Sequence, residues 1–140
     1  MSGLIFDHAG SLYGTTQFGG ARNALDSGTV FRLSAGGDES LLHSFTGGKD
    51  GSVPQAGVVL DRAGALYGTT FAGGDSGEGV VFKLTRQADG SYIESVLHSF
   101  TGGSDGGGPR GGLLLGADGA LYGTTSVGGR SNQGVVFRLK

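Results

Sequence analysis

Leu12-Tyr13-Gly14-Thr15-Thr16 returns as Leu66-Tyr67-Gly68-Thr69-Thr70 and again as Leu121-Tyr122-Gly123-Thr124-Thr125, at offsets of 54 and 55 residues. Upstream of each copy stands an apolar segment closed by a turn: GLIFDHAG from Gly3, GVVLDRAG from Gly57 and GLLLGADG from Gly112. Downstream comes a Gly-Gly loop and then GTVFRL from Gly28, GVVFKL from Gly79 and GVVFRL from Gly134. A further element, LLHSFTGG from Leu41 and VLHSFTGG from Val96, occurs only twice. The chain is therefore a tandem repeat with a unit of about 55 residues, in two complete copies and three quarters of a third. The units span residues 3–56, 57–111 and 112–140 of a single repeat domain.

Each unit reads as four short strands of five or six residues, bounded by glycine-rich turns, and four strands per repeat of this length is the pattern of a β-propeller blade. The apolar runs agree. Val58-Val59-Leu60, Val80-Val81-Phe82, Leu113-Leu114-Leu115 and Val135-Val136-Phe137 are unbroken, as expected where both faces of a sheet are covered by neighbours. A β-solenoid or a stacked sandwich of repeats is the alternative architecture. Between the first and second strands, Asp7 and Asp61 stand early in the turn and Gly10 and Gly64 late, so the carboxylate can accept turn amides while glycine takes a positive φ. The third copy has Gly116 in place of that aspartate.

Composition narrows the class further. Of 140 residues 32 are glycine, spaced so closely that no window carries a helical apolar period. Leu, Ile, Val and Phe still make up a quarter of the chain and are clustered, which argues for a packed core over disorder. Ten basic against twelve acidic residues, without a basic cluster, give phosphate-driven nucleic-acid binding nothing to rest on. No apolar run reaches a bilayer-spanning length, and MSGLIFDHAG does not read as a secretory leader. The absence of cysteine excludes disulfides and thiolate chemistry.

HSFTGG-x-DG-x-x-P, followed by a GVVLD-type strand, LYGTT, a Gly-Gly loop and G-[TV]-VF-[KR]-L, resembles the GloVer-type tandem repeat of bacterial surface or secreted proteins. The motif is carried by Thr46 to Gly51 with Pro54 and by Thr101 to Gly106 with Pro109. The resemblance implies an all-β, propeller-like repeat array, outside the cytoplasm or at the cell surface, often with a carboxyl-terminal sorting anchor. It implies no activity.

In a blade wound in the usual way, the loops joining second to third strand and those crossing to the next blade emerge on one rim. The candidate ligand-binding residues are the unshared polar ones on those loops: Arg22, Asn23 and Asp26, then Asp75 and Glu78, then Arg130 and Asn132, with Asp50, Asp105 and Arg110 on the crossing loops. Asp50 and Asp105 each stand alone among glycines, which fits a turn-fixing role better than a calcium loop, and no metal or cofactor is expected. His43 and His98 recur at one strand position and point to packing, with the imidazole bonded to a neighbouring strand or turn. The repeated Tyr13, Tyr67 and Tyr122 point to rings filling the space between blades, and the repeated threonines to cross-strand hydrogen bonds.

Three blades cannot close a ring, and an open fan leaves an apolar face at each end. The expectation is a homo-oligomer, most simply two chains making six blades. The function expected is a non-enzymatic binding module with a polar, glycine-rich rim for a glycan or a surface protein. The alternative is a polysaccharide hydrolase or lyase with Asp26, Asp50, Asp75, Glu78 or Asp105 facing across the channel. A third reading is a chain whose only role is to close a ring.

Overall fold

The computed structural model describes residues 3–20 and 26–140, and among these residues it has three antiparallel sheets and no helix. The first sheet runs β1 (Ile5–Phe6), β2 (Leu12–Thr16), β3 (Thr29–Leu33), β4 (Glu39–Ser44) in chain order. The second repeats it as β5 (Val59–Leu60), β6 (Leu66–Thr70), β7 (Val80–Arg86), β8 (Tyr92–Ser99). The third holds β9 (Leu114–Leu115), β10 (Leu121–Thr124) and β11 (Val136–Leu139), with β11 at its outer edge.

The registers are equivalent from sheet to sheet. Gly14 faces Phe31, Gly68 faces Phe82 and Gly123 faces Phe137. This pairing explains the glycine in the recurring pentapeptide: a Cβ at Gly68 would sit 2.5 Å from the Phe82 ring, and one at Gly123 would sit 2.4 Å from Phe137. Only a residue without a side chain lets the ring lie flat over the neighbouring strand. The outer pairs share an irregularity too, with a register shift after Val30 in β3 and after Val81 in β7.

The strands differ from the sequence expectation in length. β1, β5 and β9 pair over two residues each instead of five or six, because the Asp turn pins one end and a glycine crossing ends the pairing at the other. At that crossing Gly57 runs against the first unit: a Cβ there would lie 2.3 Å from the Gly3 carbonyl oxygen. In the second sheet β7 and β8 are longer, seven and eight residues, because Thr85 to Ile93 extend the outer hairpin.

The sheets pack face to face. Tyr13, Val30 and Phe45 of the first meet Val58, Leu66, Val80, Phe82 and Leu84 of the second in one buried cluster. Val81 and Phe100 of the second meet Leu113 and Leu121 of the third, flanked by Val59, Tyr67, Phe137 and Leu139, in another. The phenylalanine that follows each outer strand carries the contact. Phe45 meets Phe82 edge-on at 5.1 Å, and Phe100 meets Phe137 at 5.1 Å in the same manner. Every sheet thus has one face directed forward along the chain and one directed back, and the two clusters are the same interface built twice. The threonines bond within their own units: Thr16 and Thr29 hydroxyls pair at 2.7 Å between β2 and β3, while Thr15 Oγ1 donates to the Ala56 carbonyl at 2.8 Å and Thr69 Oγ1 to the Gly111 carbonyl at 3.3 Å, at the end of each crossing loop.

The end faces have no such partner. On the backward face of the first sheet Leu4 is 59% exposed, whereas its counterparts Val58 and Leu113 are 6% and 7% exposed. On the forward face of the third sheet Val136 is 81% exposed, whereas Val30 and Val81 are fully buried.

Candidate functional site

The crossing loops and the loops between second and third strands share one rim, and backbone hydrogen bonds stitch them together. Val53 N–H donates to Ser27 C=O of its own unit at 2.7 Å, and Val53 C=O accepts from Phe71 N–H of the next at 3.0 Å. Ser52 and Ala72 exchange a bonded pair, and Gly74 N–H donates to Gly48 C=O at 2.9 Å. The second crossing loop repeats this, Gly129 N–H donating to Gly103 C=O at 2.8 Å and Gly107 N–H to Val127 C=O at 3.1 Å. Val53 takes φ 56°, a left-handed conformation rare for a β-branched residue and held by those two bonds; Gly108 fills the same place in the next loop.

Within each crossing loop one carboxylate gathers its surroundings. Asp50 accepts from Thr46 N–H at 2.9 Å, from the Thr46 hydroxyl and from His43 Nε2 at 3.2 Å. Asp105 does the same with Thr101 N–H, the Thr101 hydroxyl and His98 Nε2 at 3.0 Å. Each histidine also packs edge-on against the phenylalanine two residues on, at 4.7 and 4.8 Å. Desolvation pulls the His43 imidazole below its ordinary value against the pull of Asp50. For Asp105 desolvation pushes upward, but the bonds from Thr101 and His98 outweigh it and leave the carboxyl below the ordinary range. The threonine, histidine and aspartate of the HSFTGG-x-DG motif are thus a loop staple repeated in two units.

The remaining rim candidates are spread along the stitched loops. Asp75 lies 3.7 Å from Lys49, both well exposed, and its amide donates to Ser99 Oγ at 2.8 Å. Glu78 lies over the glycines of the next crossing loop: a Cβ at Gly107 would stand 2.6 Å from its Oε2. Arg110 stacks its guanidinium over Phe71 at 4.5 Å. Asp26 takes φ 52° and its carboxylate accepts from Gly19 N–H; Asn132 takes φ 53° and its Oδ1 accepts from Gly128 N–H at 2.7 Å. Arg130 is exposed, and Arg22 and Asn23 lie outside the described residues.

Two features escape a reading of the chain alone. A cavity of about 360 Å³ opens where Gly3, Gly57 and Gly112 converge, with Gln55 and Arg110 as its long polar side chains. The matching places of Gln55-Ala56-Gly57 and Arg110-Gly111-Gly112 in the repeat were the available signal. On the opposite side, grooves of about 430 and 710 Å³ separate successive turn hairpins and carry Asp7, His8, Asp61 and Arg62. Those aspartates are turn residues: Asp7 Oδ1 accepts from Ala9 and Ser11 N–H, and its Oδ2 from the Tyr13 hydroxyl at 3.1 Å; Asp61 repeats this with Ala63, Ala65 and Tyr67. Burial first, then Tyr92 and Asp7, push the Tyr13 phenol up to about 12. Where the third unit has Gly116, Asp118 caps the turn instead and accepts from Arg138 at 3.0 Å, while Arg138 Nε donates to the Tyr122 hydroxyl at 3.2 Å. Among the described residues no three His, Asp or Glu side chains converge to hold a metal ion.

Antiparallel sheets repeated face to face about a glycine-lined centre, with crossing loops on one rim, define a β-propeller-like repeat protein. The chain belongs to the Gloeobacter/Verrucomicrobia repeat family, whose pattern matches residues 1–140. No curated protein matches the sequence. Among solved structures it is similar to a crystal structure provisionally assigned as a gluconolactonase, at a TM-score of 0.60 and 19% identity. The match covers 98% of this chain and 47% of that one, so this chain spans about half the length of the structure it resembles. No helix among the described residues is long and apolar enough to cross a membrane.

Proposed function

We propose that the chain is a non-enzymatic β-propeller module that closes its ring by joining a second copy and presents the stitched rim to a glycan or a surface protein. The observation that carries the reading is the match between the two end faces. Leu4 and Phe6 stand where Val58 and Leu60 stand when a sheet receives a neighbour, and Val136 stands where Val30 and Val81 stand when a sheet offers its face. Two copies joined head to tail would bury both faces in contacts the chain already makes twice, and a two-fold axis along the channel would close six blades. The half-length match to a propeller-like structure supports the same count. The family resemblance supports a location outside the cytoplasm or at the cell surface.

Binding rather than catalysis is supported by how the carboxylates are used. Asp50 and Asp105, two of the five carboxylates on which an acid–base pair across the channel could draw, are taken up by the loop staples, and the long side chains at the channel mouth are Gln55 and Arg110. An arginine stacked on an aromatic ring and an amide around a small cavity suit the hydroxyl groups and apolar face of a sugar.

Light scattering at micromolar concentration tests the assembly: the expected mass is twice the 14.0 kDa of the chain. Val136→Asp and Leu4→Asp should each return a monomer with an unchanged far-ultraviolet spectrum. A monomeric mass for the unaltered chain overturns the ring. For the rim, a glycan array with the assembled species should give signal that Arg110→Ala removes, and a blank array counts against glycan recognition.

A further inference from the structure

Two crossings carry the chain from one unit to the next, Gln55-Ala56-Gly57 and Arg110-Gly111-Gly112, and both are internal to the sequence. They share one peptide geometry. The Ala56 carbonyl accepts from the Thr15 hydroxyl, and the Gly111 carbonyl accepts from the Thr69 hydroxyl. In a trans peptide group the N–H points opposite to the C=O, so Gly57 and Gly112 direct their N–H groups away from those threonines. Both glycines line the central cavity of about 360 Å³, and neither N–H has a hydrogen-bond partner among the described residues. Two main-chain donors are thus left over at the hub.

The side chains at the two crossings differ. Counted from LYGTT, Phe71 stands where the first unit has Gln17, and Arg110 stands where it has Gln55. The two residues change together and touch, with the guanidinium 4.5 Å over the ring. Main chain backs the ring, since a Cβ at Gly108 would lie 3.0 Å from Phe71 Cε2, and the arginine follows Pro109, which is fully buried. Stacking fixes the plane of the guanidinium while leaving its in-plane N–H donors open. Among the described residues Arg110 makes no ion pair and donates no hydrogen bond, whereas Arg138 is taken up by Asp118 and Arg32 by Ser11. Arg110 is also the one charged residue in the lining of the cavity, in a chain whose net charge is -2.

We propose that the hub cavity is a site for an acidic saccharide, with the carboxylate of a uronate held on the open fork of Arg110. The inference rests on the glycan reading above and narrows it to one class of sugar. A planar carboxylate meets the guanidinium edge in a bidentate pair, which a neutral hydroxymethyl group cannot form. The Gly57 and Gly112 N–H groups donate to oxygens of the bound sugar, and the Gln55 amide both donates and accepts, as a ring hydroxyl requires. Polar groups thus stand at several places around the hollow, which a hydroxylated ring can use and a lone Asp or Glu side chain of a protein cannot. The volume lies at the small end for a ligand site and suits a single sugar ring.

The test is calorimetric titration of the unaltered full-length chain with short oligomers of galacturonate, glucuronate and mannuronate, their methyl esters and their neutral counterparts. At least one acid should bind saturably, its ester and neutral counterpart at least about tenfold more weakly. Added salt should weaken the acid and leave the neutral sugar unchanged. In a proton–nitrogen correlation spectrum the Gly57 and Gly112 amides should be among the signals that the acid moves. Arg110→Gln, which restores the first unit's residue at that place, should abolish the preference for acid without lowering the melting temperature. Arg110→Lys keeps the charge without the fork and should lose most of the preference. A preference that survives Arg110→Gln overturns the site. Equal affinity for acid and neutral oligomers overturns the acidic assignment and leaves glycan recognition standing, whereas no saturable binding of any oligomer at millimolar concentration overturns both. A glutamate-bearing peptide that binds as tightly as the acid overturns the saccharide assignment, because only the carboxylate would then be read.

Discussion

Val30 and Val136 hold the same place on the third strand of their sheets, yet one is sealed between two sheets and the other stands almost wholly open. The same contrast separates Val58 from Leu4, and Glu94 from Glu39. Leu4 and Val58 precede the same two-residue strand in their sheets, so their difference lies in whether a neighbouring sheet is present; Val136 differs from Val30 in that and also in having no outer strand beside it. Burial in this fold is a property of the junction between units and not of the unit, and stability should follow the junctions.

The largest expected effect is at the phenylalanine of the third strand. Phe82→Ala empties a fully buried site between two sheets, against Phe45, and should cost about 3–5 kcal/mol by urea denaturation. Phe31→Ala, at the matching place on the open face, should cost about 1–2 kcal/mol in the Leu4→Asp monomer because the lost ring was partly solvated already. Equal losses would mean that the first sheet is held by its own strands and not by its neighbour.

Next comes the centre. Gly57→Ala forces a methyl group to within 2.3 Å of the Gly3 carbonyl and should cost about 1–3 kcal/mol, since backbone must move to admit it. At Gly112 the same substitution meets nothing closer than Ala56 at 4.0 Å and should be nearly neutral. If both were neutral, the hub would be looser than the close approach of these strands implies.

The smallest effect is electrostatic. Burial, and then the nearby Asp50, raise the Glu94 carboxyl from an ordinary 4.5 to about 7, and its Oε1 is buried without a hydrogen-bond partner. The folded chain then binds more protons than the unfolded one between these values. The stability Glu94 lends is full below about pH 4.5 and is lost as pH rises through 7. Glu94→Gln should raise stability at pH 8 by about 1 kcal/mol, after allowance for partial solvent screening, and flatten the profile between pH 5 and 8. Glu39→Gln, at the solvent-facing counterpart, is the matched control. An unchanged profile for Glu94→Gln would show that the carboxyl is not pressed against the neighbouring sheet.

The repeat, the all-β architecture and the pairing of strands within a unit were legible in the chain, because each rests on local chemistry: glycine at turns, aspartate capping the amides after it, unbroken apolar runs. The role of Asp50 and Asp105 was legible for the same reason, since the histidine and threonine they bind lie within seven residues. What stayed hidden is contact between residues far apart in the chain. Glu94 lies near Asp50 of the preceding unit, 44 residues away, and Gln55 and Arg110 share a cavity only because three glycines converge at the centre; within the second unit, Arg110 meets Phe71 from 39 residues away. Arg138 could be seen as a strand residue, but not as the group that takes up Asp118 and the tyrosine hydroxyl once Gly116 replaces the turn aspartate.

The bonds that join the first crossing loop to its own unit at Ser27 and to the next at Phe71, Ala72 and Gly74 run from main chain to main chain. The angle between successive sheets is therefore written largely in peptide groups, which most side-chain substitutions leave in place, proline at Val53 being an exception because it removes the N–H that Ser27 C=O accepts. Side chains on the sheet faces can be exchanged for others of similar bulk while the curvature of the array, and with it the number of units needed for a full circuit, stays as it is.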